Sequence, residues 1–249
     1  MQKPYSNSEE DTGEDSYSDE GSFCSNEMSD LITSSSNVPE LFTVCSGPCA
    51  GDYDRIELLA RQAKTLDVAN IQEKEKELLF SKILVRSEAE SIEADPWITS
   101  FFSVLSYSEA TSMLHAKVNA AIKKMERPEE LSILVSTRFA NVPEEIVYEM
   151  YEALPGALPK QAAPRMLLLS LERPVLQDEE KEIKRVFPDF KFATSAKLFP
   201  VHTEEIFLML NGAKPAFSCT VADDSTIKGY VLTEDSLGAF IGAMKKYYT

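Results

Sequence analysis

The stretch LSILVSTRFANVPEEIVYEMYEAL, residues 131–154, decides the fold. Its first half, Leu131 to Phe139, is apolar and β-branched, with no helical period. It reads as a strand. Its second half changes period. Pro143 lies in the first turn of a helix, where a missing amide hydrogen costs nothing. Ile146, Val147, Met150, Tyr151 and Leu154 then fall on one helical face. A strand feeding an amphipathic helix through a short link is a unit of an α/β domain.

The same alternation extends in both directions. Upstream, Leu41 to Cys45 suits a short strand, and a helix near 53–66 presents Ile56, Leu59, Ala60 and Ala63, with Asp52 as its N-cap. A second helix is read near 68–80 and a strand over 83–85. An acidic loop over 87–95 follows. Trp97 to Tyr107 is a strand with Trp97, Phe101 and Leu105 on one face and Ile98, Phe102 and Val104 on the other. Glu109 to Arg127 reads as one long helix, with Ala110, Met113, Leu114, Val118, Ala121, Ile122 and Met125 at helical spacing.

Downstream, 155–164 reads as a Pro- and Ala-rich loop and Met166 to Leu171 as a strand. The segments 187–199 and 204–210 fit helix or strand equally. Phe217 to Val221 and Ile227 to Leu232 read as paired strands. Thr233 caps a last helix with Leu237, Phe240, Ile241, Met244 and Tyr248 on one face. The expected architecture is one α/β domain over 38–249, a mixed sheet flanked by helices.

Charge divides the chain differently. Of 249 residues, 41 are acidic and 25 are Lys or Arg, a net −16. The first 40 residues hold ten acids and one lysine, so more than half of the excess sits there. Residues 1–37 have the composition of an acidic, serine-rich disordered tail. Ser6, Ser8, Thr12 and Ser16 each have an acid three residues on, the spacing of acidophilic kinase sites. Each phosphate would add about −1.5 to −2 charge. Such a chain attracts basic partners and repels nucleic acid and anionic membrane. No apolar run approaches the roughly 18 residues of a membrane helix. The N-terminus lacks the pattern of a signal peptide.

Chemistry is sparse. His115 and His202 have no partner at a recognisable ligand spacing. Cys45 and Cys49 form half of a zinc pattern, but Cys24 and Cys219 do not complete it. Phosphate-binding loops and nucleophile elbows are missing from the sequence. Gly51, Gly156, Gly212 and Gly229 read as turn residues, and Gly238 and Gly242 as a close-packing pair in the last helix. The expectation is a binding protein, with no catalytic residues, cofactor or metal.

Residues 131–151 resemble the centre of the BCCIP family, an apolar strand ending in R-F-x-N-(L/V)-P before a helix with a late tyrosine; here these are Arg138, Phe139, Asn141, Val142, Pro143 and Tyr151. Asp52-Tyr53 with Ile56 and Leu58-Leu59 is similar to that family's helix start. The strand at 97–105, the segment 165–170, Glu204-Glu205-Ile206-Phe207 and the ending Met244 to Tyr248 also resemble it, so the likeness runs in order over about 41–249. Three features depart from the family. The acid after the first strand's phenylalanine is missing, the acidic loop between strands is short, and a mixed-charge stretch replaces the Lys-rich insertion after 165–171.

The resemblance implies a fold like the GCN-type N-acetyltransferases without their cofactor loop. It also implies a nuclear chaperone that escorts a basic ribosomal protein of the large subunit, supports large-subunit assembly and is linked to the nuclear export machinery. Two other readings stand beside it: an acidic adaptor for histones or cell-cycle proteins, and an acyl-CoA-dependent N-acetyltransferase. Arg138, Phe139, Asn141 and Pro143 are the candidate partner-binding residues, with fold architecture as the alternative role for each.

Overall fold

The computed structural model describes residues 42–45, 53–67, 83–87, 97–139, 142–158, 165–192, 197–221 and 224–248. The segment 1–37 with its four candidate phosphorylation sites, the helix read at 68–80, the loop at 88–95 and Asn141 lie outside them.

Among the described residues, eight strands form one mixed sheet: β1 (Phe42–Cys45), β2 (Ile83–Ser87), β3 (Trp97–Ser106), β4 (Leu131–Arg138), β5 (Arg165–Pro174), β6 (Leu198–Pro200), β7 (Phe217–Thr220) and β8 (Thr226–Leu232). Their order is β1-β2-β3-β4-β5-β8-β7, with β6 also on β5. Every pairing is antiparallel except β4 with β5. A parallel pair needs a crossover helix, and α4 (Glu144–Ala157) supplies it. Strands β4 and β5 are buried on both sides over most of their length, which is why they read as continuous apolar runs.

One face carries α1 (Tyr53–Gln62), α2 (Tyr107–Ala110) and α3 (Ala116–Ile122). Ile56, Leu59, Val118 and Ile122 pack there on Phe101, Leu105, Ile133 and Leu167. The other face carries α4, α6 (Ile206–Leu210) and α7 (Glu234–Tyr248), with Tyr151, Phe207 and Phe240 over Phe102, Leu134 and Tyr230. All five apolar residues read on α4 are buried at 0–1% exposure, so its inner face is the one the sequence marks. Between β5 and β6 lies α5 (Gln177–Val186), whose Arg173–Glu179, Glu180–Lys184 and Glu182–Arg185 pairs make it a solvated surface helix.

Four readings are corrected. The helix read over 109–127 is two short helices. Ser106 and Glu109 form a capping box that starts α2 early. The backbone then leaves helical pairing because Asp67 N–H donates to Met113 O at 2.8 Å and His115 N–H to Thr65 O at 2.9 Å. His115 restarts the chain as the N-cap of α3, its Nδ1 accepting from Lys117 N–H. Second, Ile98 joins Phe101 and Leu105, not Phe102 and Val104. The register between β2 and β3 shifts at Val85/Arg86, so Thr99 is bulged and the alternation inverts. Third, α4 continues through Pro155 and Gly156 to Ala157, so the loop starts later than read.

Fourth, the glycines exchange roles. A Cβ on Gly238 or Gly242 meets nothing within 4 Å, so neither is a packing contact. Gly229 is no turn residue; it sits in β8 opposite Phe217, and a Cβ there would lie 2.2 Å from the phenyl ring. Gly229→Ala is expected to cost about 1–3 kcal/mol by overpacking. Thermal unfolding should show the loss, and adding Phe217→Ala should recover part of it. Gly212 is a true turn, with φ of 76°. The described residues of the segment 187–199, read as helix or strand, are largely neither; Phe187 and Phe190 fill the core beside a turn, and Leu198 and Phe199 lie in β6.

A buried ion-pair cluster where the sheet divides

The parallel pairing of β4 and β5 covers only Leu131–Leu134 against Arg165–Leu168. Beyond it the two strands part. The edge of β5 that β4 leaves is taken by β6, which pairs with Glu172–Pro174, and by Val201, whose N–H donates to Leu171 O at 2.7 Å. The chain then makes a single 3-10 turn, Thr203–Glu205, directly into α6. The turn carries two consecutive glutamates into the divide, at 1% and 2% exposure.

Glu204 meets Arg138 at the end of β4. Arg138 Nη2 donates to Glu204 Oε2 at 2.7 Å, with both side chains almost wholly buried. Glu205 accepts from Ser170 Oγ of β5 at 2.6 Å. His202 Nδ1 lies 3.8 Å from Glu205 Oε1. One turn farther along β5, Glu172 pairs with Lys228 of β8 at 2.7 Å. The turn is thus pinned to both separated strands.

Two adjacent buried carboxyls cannot both carry charge at little cost, and their environments separate them. Burial opposes ionisation of Glu204, but Arg138, helped by His202 and a backbone hydrogen bond, holds this carboxyl below the usual range. Burial, then the charge of Glu204, pushes Glu205 well above that range. Burial also lowers His202, which favours its neutral form. The cluster therefore holds one ion pair, with the neighbouring Glu205 and His202 both pushed toward their neutral forms.

The raised pKa of Glu205 fixes the sign of a pH effect. The folded chain holds this proton more tightly than the unfolded chain. Its contribution to stability is full below the usual carboxylate range and is lost as pH rises toward the folded value. Glu205→Gln keeps a neutral acceptor for Ser170. The variant is expected to be more stable than the parent at pH 7, with the difference closing at about pH 4 and below; urea midpoints across that range measure it.

Against this geometry the sequence candidates take definite places. Arg138 is a buried partner of Glu204. Phe139 is half-buried and packs against both core clusters. Pro143 is the N-cap of α4. Glu204, Glu205 and Ser170 are the members sequence reasoning did not single out as a site. Among the described residues, no group of three or more His, Cys, Asp and Glu side chains is arranged to hold a metal ion.

The outward side of α4 is different. This helix has four glutamates, Glu144, Glu145, Glu149 and Glu152, and no basic residue. Glu144, Glu145 and Glu152 are exposed and Glu149 is half-buried. Burial, and after it the charge of Glu152, raises the Glu149 carboxyl. Lys245 of α7 approaches Glu152 at 3.7 Å. Pro143 and the two leading glutamates also occupy the helix N-terminus that follows β4, so an anionic phosphate there would face carboxylates.

No protein-family model and no curated protein matches the chain. Among solved structures, the crystal structure of BCP1 from Saccharomyces cerevisiae is similar, with a TM-score of 0.50 at 13% sequence identity, covering 82% of this chain and 86% of that one. The likeness is one of fold: a mixed α/β domain built on the same plan.

Proposed function

We propose that this chain, sharing the fold of BCP1, is a non-catalytic nuclear escort for a basic protein of the large ribosomal subunit. The observation that carries the reading is the acidic outer face of α4, set in a chain of net charge −16. Ribosomal proteins must hold dense positive charge away from chance anions until RNA replaces the escort. A negative folded surface can supply that shield and also speed encounter by roughly 10- to 10³-fold at low salt. The resemblance at Arg138 to Pro143 and along the rest of the domain points to the same role, with passage through the nuclear export machinery.

Two features support a binding role over acyl transfer. The divide between β4 and β5 is occupied by β6 and the 203–205 turn, locked by Arg138–Glu204. The helix N-terminus after β4 bears glutamates where a coenzyme pyrophosphate would need donors. Phosphorylation at Ser6, Ser8, Thr12 and Ser16 would strengthen the negative arm.

Affinity capture of the tagged chain from nuclear extract, followed by mass spectrometry, tests the proposal. A basic large-subunit ribosomal protein should be recovered at low salt and lost as salt rises. Recovery of no ribosomal protein at low salt would remove the reading. Recovery of histones in its place would favour the adaptor role.

A further inference from the structure

The outer side of α3 reverses the charge of the outer side of α4. No acid occurs between Glu109 and Glu126, although 41 of the 249 residues are acidic. Val118 and Ile122 turn inward and are fully buried. That places Lys117, Ala120, Lys123 and Lys124 on the exposed side. The helical turn runs on past Ile122, since Lys123 N–H donates to Asn119 O at 3.0 Å and Met125 N–H to Ile122 O at 2.9 Å. Lys117 Nζ donates to Thr220 O of β7 at 2.8 Å and keeps two further hydrogens to give. Lys123 and Lys124 form no ion pair among the described residues. Past the turn, Arg127 is taken by Glu130 at 3.3 Å.

The chain carries a complement to this face. Residues 9–20 hold seven acids and no base. Six strand spacings separate β1, the first described strand, from β7, beside which α3 lies. At about 4.8 Å each, that is roughly 29 Å. The chain from Glu20 to Phe42 can span up to roughly 70 Å. The length therefore permits contact within one molecule. The glutamates of α4 lie across the sheet from α3 and repel such a segment, so charge selects the α3 side.

We propose that residues 9–20 dock on the basic outer face of α3 in the same chain, their carboxylates accepting from Lys117, Lys123 and Lys124. The covalent tether gives the segment an effective concentration on the order of millimolar, so a few exposed ion pairs suffice. Thr12 and Ser16 lie inside the segment, and a phosphate on either would tighten the contact by adding about −1.5 to −2 charge. The contact lies across the sheet from the acidic face of α4, and its failure would leave the escort reading untouched.

Carbodiimide coupling of the full chain, with mass spectrometry of the monomer, tests this. At about 0.1 M salt, residues 9–20 should be joined to Lys117, Lys123 or Lys124 in preference to the exposed Lys181 and Lys214. The yield should fall about tenfold at 1 M salt. Cleavage by a glutamate-specific protease gives a second readout. The Lys123→Glu, Lys124→Glu variant should be cut between Glu9 and Glu20 about fivefold faster than the parent, with circular dichroism unchanged. Lys181→Glu with Lys214→Glu makes the same charge change elsewhere and should be cut at the parent rate. Coupling spread evenly over the exposed lysines, coupling only between two chains, equal cleavage of the parent and the Lys123→Glu, Lys124→Glu variant, or equally faster cleavage of both variants overturns the proposal.

Discussion

Glu204→Ala is expected to lower the unfolding free energy by about 3–5 kcal/mol, the cost of stranding a buried charge. Arg138 sits at 7% side-chain exposure and Glu204 at 2%, so neither can turn to water when the other is removed. The substitution removes the anion that compensates the guanidinium. It also frees the 203–205 turn from β4, although Ser170 still holds Glu205 on the β5 side. Urea unfolding should show a lower midpoint with little change in slope. The double change Arg138→Leu with Glu204→Leu removes both charges and should cost far less, because a buried ion pair is often no better than an apolar pair of similar volume. A loss below 1 kcal/mol for Glu204→Ala alone would mean that the pair does not fasten the divide.

Tyr151→Ala is the second large effect, again about 3–5 kcal/mol, for a different reason. Tyr151 is fully buried. Its ring meets Phe102 of β3 edge-on at 4.6 Å and Phe240 of α7 at 5.1 Å. One side chain thus joins the crossover helix to the sheet and to the last helix, and truncation opens a cavity between all three. The hydroxyl has Ser136 of β4 as its neighbour, without full hydrogen-bond geometry. Tyr151→Phe should therefore be nearly neutral, since it removes at most one weak polar contact. Equal losses for Phe and Ala would show that the hydroxyl, and not ring packing, holds this junction.

These two residues also show what the sequence could and could not disclose. Tyr151 belongs to the Ile146, Val147, Met150, Tyr151, Leu154 stripe, and a strict helical period announces its own buried face. The last helix was legible for the same reason, through Leu237, Phe240 and Met244. The Arg138–Glu204 pair was not. Its members are 66 residues apart, and carboxylates are so common in this chain that no spacing could mark two of them as buried.

The break between α2 and α3 was hidden by a different cause. Both short helices keep one apolar period, and what interrupts it is backbone pairing with Thr65 and Asp67, far upstream. The bulge at Thr99 was equally silent, because alternation read from a sequence assumes a constant register. Periodicity thus gave the layers, while long-range polar contacts built the site.

The central claim is that the molecule acts by holding a basic partner on a negative folded surface. Titrating a purified basic ribosomal protein of the large subunit against the full chain, and against the Glu145→Lys, Glu149→Lys variant, tests it most directly. The account predicts at least a tenfold weaker complex for the variant at about 0.1 M salt, with the gap narrowing toward 1 M as exposed charges are screened. Equal affinity of the two chains at low salt, with circular dichroism unchanged, would contradict it.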